Sequence, residues 1–265
     1  MFDWLGNLQM DIFQAIILGV VQGITEWLPI SSKSHLIIIQ QLFGLVQPAI
    51  FDLILHIGSL IVVLFVFWKD IWKLIKGVFT GDKKSLKYFL YLIIASIPVA
   101  IIGFVFKTQI EAALSNMYIL GFGFLFTALI LFCSKFTFVK KKSLNVWNSL
   151  IIGISQVLSV LPGISRSGTT ISTGMILGVE KKEVAKFSFL MFIPAILGAT
   201  LLEIGSINTI TNIPAMIIGT IFAMITGYVA IKVLMNIIEK NKFWYFSIYC
   251  FILGIIVLLF AYKIF

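Results

Sequence analysis

The chain has 265 residues, 60% hydrophobic and 12% charged, with a formal net charge of +9. Soluble domains are about half apolar and about a quarter charged, so an ordinary soluble domain is excluded. So is a β-barrel, because the apolar runs here recur at about 20 residues, whereas barrel strands alternate in polarity over about ten. The positive charge falls in short lysine-rich loops, which anionic lipid headgroups and the positive-inside rule explain without a nucleic-acid partner.

The opening stretch "MFDWLGNLQMD" lacks a basic n-region and a small-residue cleavage site. It reads as mature protein, with Trp4 near an interface. Long apolar helices are expected at 49–68, 86–106, 117–138, 184–205, 213–238 and 244–264. Two further regions, 15–44 and 148–178, are apolar but interrupted by polar residues and broken by Pro29 and Pro162. Proline ends or kinks a helix at such points. Cys133 and Cys250 lie in separate apolar runs, with neither metal-ligand nor disulfide spacing.

The two broken regions are alike. "GVVQGITEWLPISSKS" lies over "GISQVLSVLPGISRSG" with one gap in each, so that Gly19, Gln22, Pro29 and Ser31 fall opposite Gly153, Gln156, Pro162 and Ser165. Each region precedes three long helices, which suggests two halves, 1–143 and 144–265. With three spans per half, the second half sits inverted if each broken region enters and leaves on one side. Lysines cluster at 69–87, 135–142, 179–186 and 239–242, while 107–116 and 206–212 hold one lysine between them. Lysine-rich loops in the cytoplasm put both termini outside. The expected fold is an all-α polytopic membrane protein of six spanning helices plus two re-entrant helical hairpins, in two inverted-topology repeats. The hairpin tips would meet near the midplane, the usual place of a membrane-embedded site. Irregular backbone there must be buried in protein or line a wet cavity.

The polar residues of these hairpins carry the chemistry. Arg166, in "LPGISRSGTTIS", is the single arginine of the chain. At mid-bilayer it costs about 2.5–3.5 kcal/mol on insertion scales. It is either paired structurally or holds an anion, for which its planar fork suits phosphate oxygens. Ser165, Ser167, Thr169 and Thr170 add hydroxyls, and a helix expected to begin near Gly168 would aim its positive end at the same place. Gln22 and Glu26, four apart, share a helix face. Glu26 could pair with Lys33 or Arg166, act as a base, or join Gln22 in binding a hard cation such as Mg²⁺ or Ca²⁺. Ser32 could be a nucleophile and His35 a proton carrier. Lys33 could balance phosphate charge or reach the interface. Asp52 and His56, also four apart, suit either interhelical bonding or the lining of the site. Gly19 and Gly23 read as a close helix-packing face.

The motifs "GVVQGITEWLPISSKSH" and "PGISRSGTT" resemble the two signatures of the bacterial undecaprenyl-diphosphate phosphatases of the bacitracin-resistance type, and the likeness runs over essentially the whole chain. The resemblance implies an integral enzyme of the bacterial plasma membrane. It would hydrolyse undecaprenyl diphosphate to the monophosphate and phosphate, recycling the lipid carrier for cell-wall synthesis. It also implies a divalent cation and an active site open to the outer face. Position by position it implies catalytic roles for Glu26, Ser32, His35 and Arg166. Gln22, Ser165, Arg166, Ser167 and Thr170 would bind substrate, with Glu26 and Gln22 toward the metal. Two departures stand out: Gln22 replaces a commoner glutamate, and Ser-Ser-Lys-Ser-His replaces Ser-Ser-Thr-Gly-His. Serine and water both remain open as nucleophile, and a homodimer is allowed. A secondary transporter or lipid flippase is the rival reading, since inverted halves are common there, and fold alone does not fix function.

Overall fold

A computed structural model of the chain describes residues 10–45, 49–137, 142–203 and 212–264. Trp4 lies outside them. The described residues form α1 (Ile12–Trp27), α2 (Ser32–Leu42), α3 (Ala49–Val66), α4 (Trp68–Phe79), α5 (Lys83–Val105), α6 (Lys107–Leu114), α7 (Met117–Cys133), α8 (Val146–Val157), α9 (Arg166–Ile176), α10 (Lys181–Glu203), α11 (Ile213–Glu239) and α12 (Phe246–Ile264).

Five helical stretches, at Lys83–Val105, Met117–Phe136, Lys181–Leu202, Ile213–Glu239 and Phe243–Tyr262, are long and apolar enough to cross a bilayer. A sixth span results if the pair α3 and α4, bent by 75°, is taken as one. The stretch 69–87, expected as a loop, is therefore largely helical. In "WKDIWKLIKGVF", Lys69, Lys73 and Lys76 share one face while Trp68, Trp72, Ile75 and Phe79 share another and are exposed. A helix patterned this way suits the membrane interface. Lys186 Nζ, 2.7 Å from Asp70 Oδ1, ties α4 to α10.

Three of the helices flanking the proline breaks, α1, α8 and α9, have capped starts. Asp11 caps α1, its side chain accepting from Gln14 N while the Gln14 side chain bonds back to the Asp11 N–H. Pro29 stops α1, with Leu28 already in extended backbone. Asn145 caps α8 by accepting from Asn148 N, and Ser165 caps α9 by accepting from Gly168 N. The helix expected near Gly168 thus starts two residues earlier, at Arg166, because Ser165 supplies the cap.

The short helices pack through glycine. A Cβ on Gly19 would run into the Gly219 carbonyl oxygen and lie 2.9 Å from its carbon, so α1 touches α11 backbone to backbone. Gly23 meets Ala223 and Gly227 in the same way, and Gly153 of α8 meets Ala95 of α5. The helix-packing reading of Gly19 and Gly23 describes this contact. Replacing Gly19 with valine should lower the thermal unfolding midpoint of detergent-solubilised protein by several degrees or abolish folding, since overpacking costs about 1–3 kcal/mol and here the obstacle is backbone. An unchanged midpoint would show that the helices can separate freely.

Candidate active site

The breaks after α1 and before α9 face each other. Ser34 Oγ accepts from Gly163 N at 2.5 Å, and Ser167 Oγ donates to the Leu28 carbonyl at 3.3 Å. Gly163 has φ +83, and a Cβ there would strike the Leu120 carbonyl of α7, so glycine is required both by conformation and by space. Thr127 of α7 completes the seam: its hydroxyl donates to the Gly163 carbonyl at 2.8 Å and accepts from Ser165 N at 3.0 Å. Ser31, which precedes α2, holds a left-handed φ of 68, an unusual conformation for a non-glycine residue.

This seam brings Glu26 and Arg166 together across 140 positions of sequence. Arg166 Nη2 lies 2.8 Å from Glu26 Oε1, and Nη1 donates to the Ser188 carbonyl at 3.1 Å. The guanidinium also lies over the Phe192 ring, 4.7 Å from its centroid. Glu26 Oε2 accepts from Ser32 Oγ at 2.6 Å and from Gln22 Nε2 at 3.2 Å. Both side chains are largely buried, so each charge depends on the other for compensation.

The carboxylate and the guanidinium open onto a cavity of about 230 Å³, which Ser32, Lys33, Ser165, Gln156 and His56 also line. Its apolar wall comes from α5 and α10, through Val99, Phe192 and Ala199. Of the residues expected to bind substrate, Ser165 and Arg166 reach this cavity. Gln22, Ser167 and Thr170 are buried behind it. Thr170 Oγ1 donates to the Arg166 carbonyl and sits 2.6 Å from Ser188 Oγ, so it braces the arginine from below. Lys33 lines the cavity and is exposed.

His35 is placed differently from the expectation. Nδ1 is 2.8 Å from the Ser31 carbonyl and Nε2 is 2.7 Å from Tyr249 Oη, on whose ring it stacks. Both nitrogens are thus engaged away from Ser32. The ring lines a separate, mostly apolar groove of about 680 Å³ running toward Lys242 and Tyr245. The imidazole at the carboxylate is His56, whose Nε2 lies 3.4 Å from Glu26 Oε2. His56 was open to either interhelical bonding or lining the site, and it does both; Gln156, which also lines the cavity, was not named as a site residue. Its Oε1 is buried without a hydrogen-bond partner, and its place opposite Gln22 in the repeated segments was the available signal.

The donor set bears on a metal ion. Among the described residues no three His, Cys, Asp or Glu side chains stand together as a cage. Glu26 is nonetheless a hard oxygen donor on the cavity, and the partnerless Oε1 of Gln22 is buried behind it, on the side chain that bonds Glu26. Mg²⁺ is usually held by one or two carboxylates plus substrate phosphates. The residues therefore fit a cation brought in with a diphosphate.

Residues 15–256 match the family model described as bacitracin resistance protein BacA. The chain is 41% identical to a protein of Methanobrevibacter smithii named undecaprenyl-diphosphatase, covering 94% of this chain and 97% of the relative. Proteins of the same name from Bacteroides fragilis and Korarchaeum cryptofilum are 38% and 37% identical, over 93% and 94% of this chain and 97% and 99% of theirs. With the match running from within α1 to within α12, through both broken regions, the chain belongs to the BacA bacitracin resistance family.

Proposed function

We propose that this multi-pass membrane protein is an undecaprenyl-diphosphate phosphatase, releasing the terminal phosphate of the lipid diphosphate to regenerate the carrier for cell-wall synthesis. The observation that carries the reading is the convergence of Ser32, Glu26 and Arg166 on one cavity, each within 2.8 Å of its neighbour in that chain. Arg166 has five N–H donors, and only part of them are taken by Glu26 and Ser188. The remainder, with the Ser165 hydroxyl and the positive end of α9, hold the terminal phosphate. Ser167 and Thr170 keep that turn in shape. Glu26 takes the Ser32 proton as Ser32 Oγ bonds to the terminal phosphorus. The bond from phosphorus to the bridging oxygen then breaks, leaving the lipid monophosphate, and water releases phosphate from the serine. Glu26 and Gln22 would hold Mg²⁺ or Ca²⁺, which when bound neutralises charge on the diphosphate oxygens. His35 acts indirectly, by holding the carbonyl of the strained Ser31 just ahead of Ser32.

The proposed architecture is six spans plus two re-entrant hairpins in inverted halves, 1–143 and 144–265. Helices α1, α2, α8 and α9, of 16, 11, 12 and 11 residues, are each shorter than the roughly 20 residues a span needs. The packing supports the repeat: α1 lies on α11 as α8 lies on α5, and α7 pairs with α12. Opposed entry is supported at both starts. Asn212, at the lysine-poor end of α11, donates to the Met10 carbonyl ahead of α1. Leu144 N, ahead of α8, donates to Glu183 at the lysine-rich end of α10. With the lysine-rich ends in the cytoplasm the termini lie outside. The cavity, whose wall includes Val99 and Ala199 toward the far ends of α5 and α10, then opens to the outer face. The little-buried apolar helix α5 is the face available to a second copy in a homodimer.

Purified protein in detergent, where no second side exists for transport, should release phosphate from a long-chain prenyl diphosphate in Mg²⁺ or Ca²⁺ buffer. Chelation should stop it, and Ser32→Ala should abolish it. No release by the wild type would return the transporter reading, which the hydrolase name of the relatives does not favour. Release by Ser32→Ala, with solvent oxygen entering phosphate directly, would make water the nucleophile.

A further inference from the structure

Helix α3 brings polar side chains to the site without carrying either signature. Along α3, Asp52, His56 and Ser59 recur at helical spacing on the face turned toward α1. Ser59 Oγ accepts from Gln22 Nε2 at 3.4 Å. His56 Nδ1 is 2.7 Å from the Asp52 carbonyl, an acceptor that fixes the plane and rotation of the ring. Nε2 is thereby directed at Glu26 Oε2, 3.4 Å away, the same oxygen that takes the Ser32 hydroxyl. Asp52 itself is steadied by Gln40 Nε2 at 2.7 Å, so the ring's support is anchored to α2 as well.

We propose that His56 is a positioning residue for the reaction: as the imidazolium, with Nδ1–H on the Asp52 carbonyl, it directs Nε2–H at Glu26 Oε2 and so fixes which carboxylate oxygen, at which angle, faces Ser32. Arg166 holds Oε1, and Oε2 accepts from Gln22 Nε2 at 3.2 Å, a partner on the same helix as Glu26. His56 adds a restraint on Oε2 from a separate helix. Asp52, His56 and Ser59 therefore form a brace against α1, and α3 is part of the catalytic frame. The inference rests on the phosphatase reading above.

The test uses amide isosteres in full-length protein purified in detergent, with kcat and KM measured on a prenyl diphosphate. Glutamine places its amide nitrogen where Nε2 stands, whereas asparagine reaches only the Nδ1 position. His56→Ala and His56→Asn should lower kcat by about tenfold or more with KM held within about twofold, as expected when one hydrogen bond to a charged group is lost from the reacting arrangement rather than from binding. His56→Gln should recover most of the wild-type kcat. A His56→Gln enzyme as slow as His56→Ala, or a His56→Ala enzyme as fast as wild type, overturns the proposal. So does a loss confined to KM. Wild-type protein that releases no phosphate overturns the reading of the site, and this inference with it. An active wild type with three indistinguishable variants overturns the inference alone.

Discussion

Replacing Arg166 by lysine lowers phosphate release at least tenfold while leaving the protein folded. Charge is conserved in this change, so only geometry is tested. The guanidinium spans two acceptors at once, Glu26 Oε1 at 2.8 Å and the Ser188 carbonyl at 3.1 Å, and lies over the Phe192 ring. An ammonium is a compact point charge on a flexible stem and cannot reproduce that planar span. A charge-assisted bond is worth about 1.5–3 kcal/mol, which corresponds to roughly ten- to a hundredfold in rate. The measurement is steady-state phosphate release by Arg166→Lys and wild type at matched purity. Turnover close to wild type would reduce Arg166 to a structural partner of Glu26.

Glu26→Gln costs more, in activity and in stability together. The change keeps the shape and removes the charge, so Ser32 loses the base 2.6 Å from its hydroxyl and Arg166 loses its counter-ion. Breaking a buried pair from one side leaves the other charge uncompensated, at about 3–5 kcal/mol. Catalysis should fall by at least about a hundredfold, the low end for removing a positioned base. Thermal unfolding in detergent reports the stability half of the prediction. The double variant Glu26→Gln with Arg166→Gln should regain much of the lost stability, because no lone charge remains, and none of the activity. If the single variant is as stable as wild type, the pair is solvated and the buried-pair account is wrong.

The helices were legible in the sequence because a bilayer leaves the backbone few options. Groups that find no water must bond within a helix, so apolar runs near 20 residues announce spans. Pro29 and Pro162 marked the two breaks for an equally local reason, the missing N–H and the fixed φ. Arg166 and Glu26 stood out because a charge in an apolar run is expensive wherever the run ends up. Their pairing was one of several combinations open to Glu26, Lys33 and Arg166, and the structure chose Arg166.

Other features became visible only with the tertiary structure. Two histidines lie near the site, and "PISSKSH" singled out His35 by its nearness in sequence to Ser32. In the folded chain His35 turns to Tyr249, 214 residues away, while His56 reaches Glu26 from another helix. The cause is side-chain direction: an i,i+3 neighbour follows its own helix face, and which face meets the cavity depends on how α2 packs against α7 and α12. The bend of 75° after α3 was hidden in the same way. Hydropathy averages over Trp68–Phe79 and misses that its lysines and tryptophans lie on different faces. The sequence by itself therefore determined the long apolar helices, the two proline breaks and which polar groups must be compensated, since these follow from local desolvation and backbone geometry. Only the tertiary structure decided which of those groups meet, because hydrogen bonds across 140 residues depend on how closely the glycine-lined helices approach and on the rotamers that approach allows.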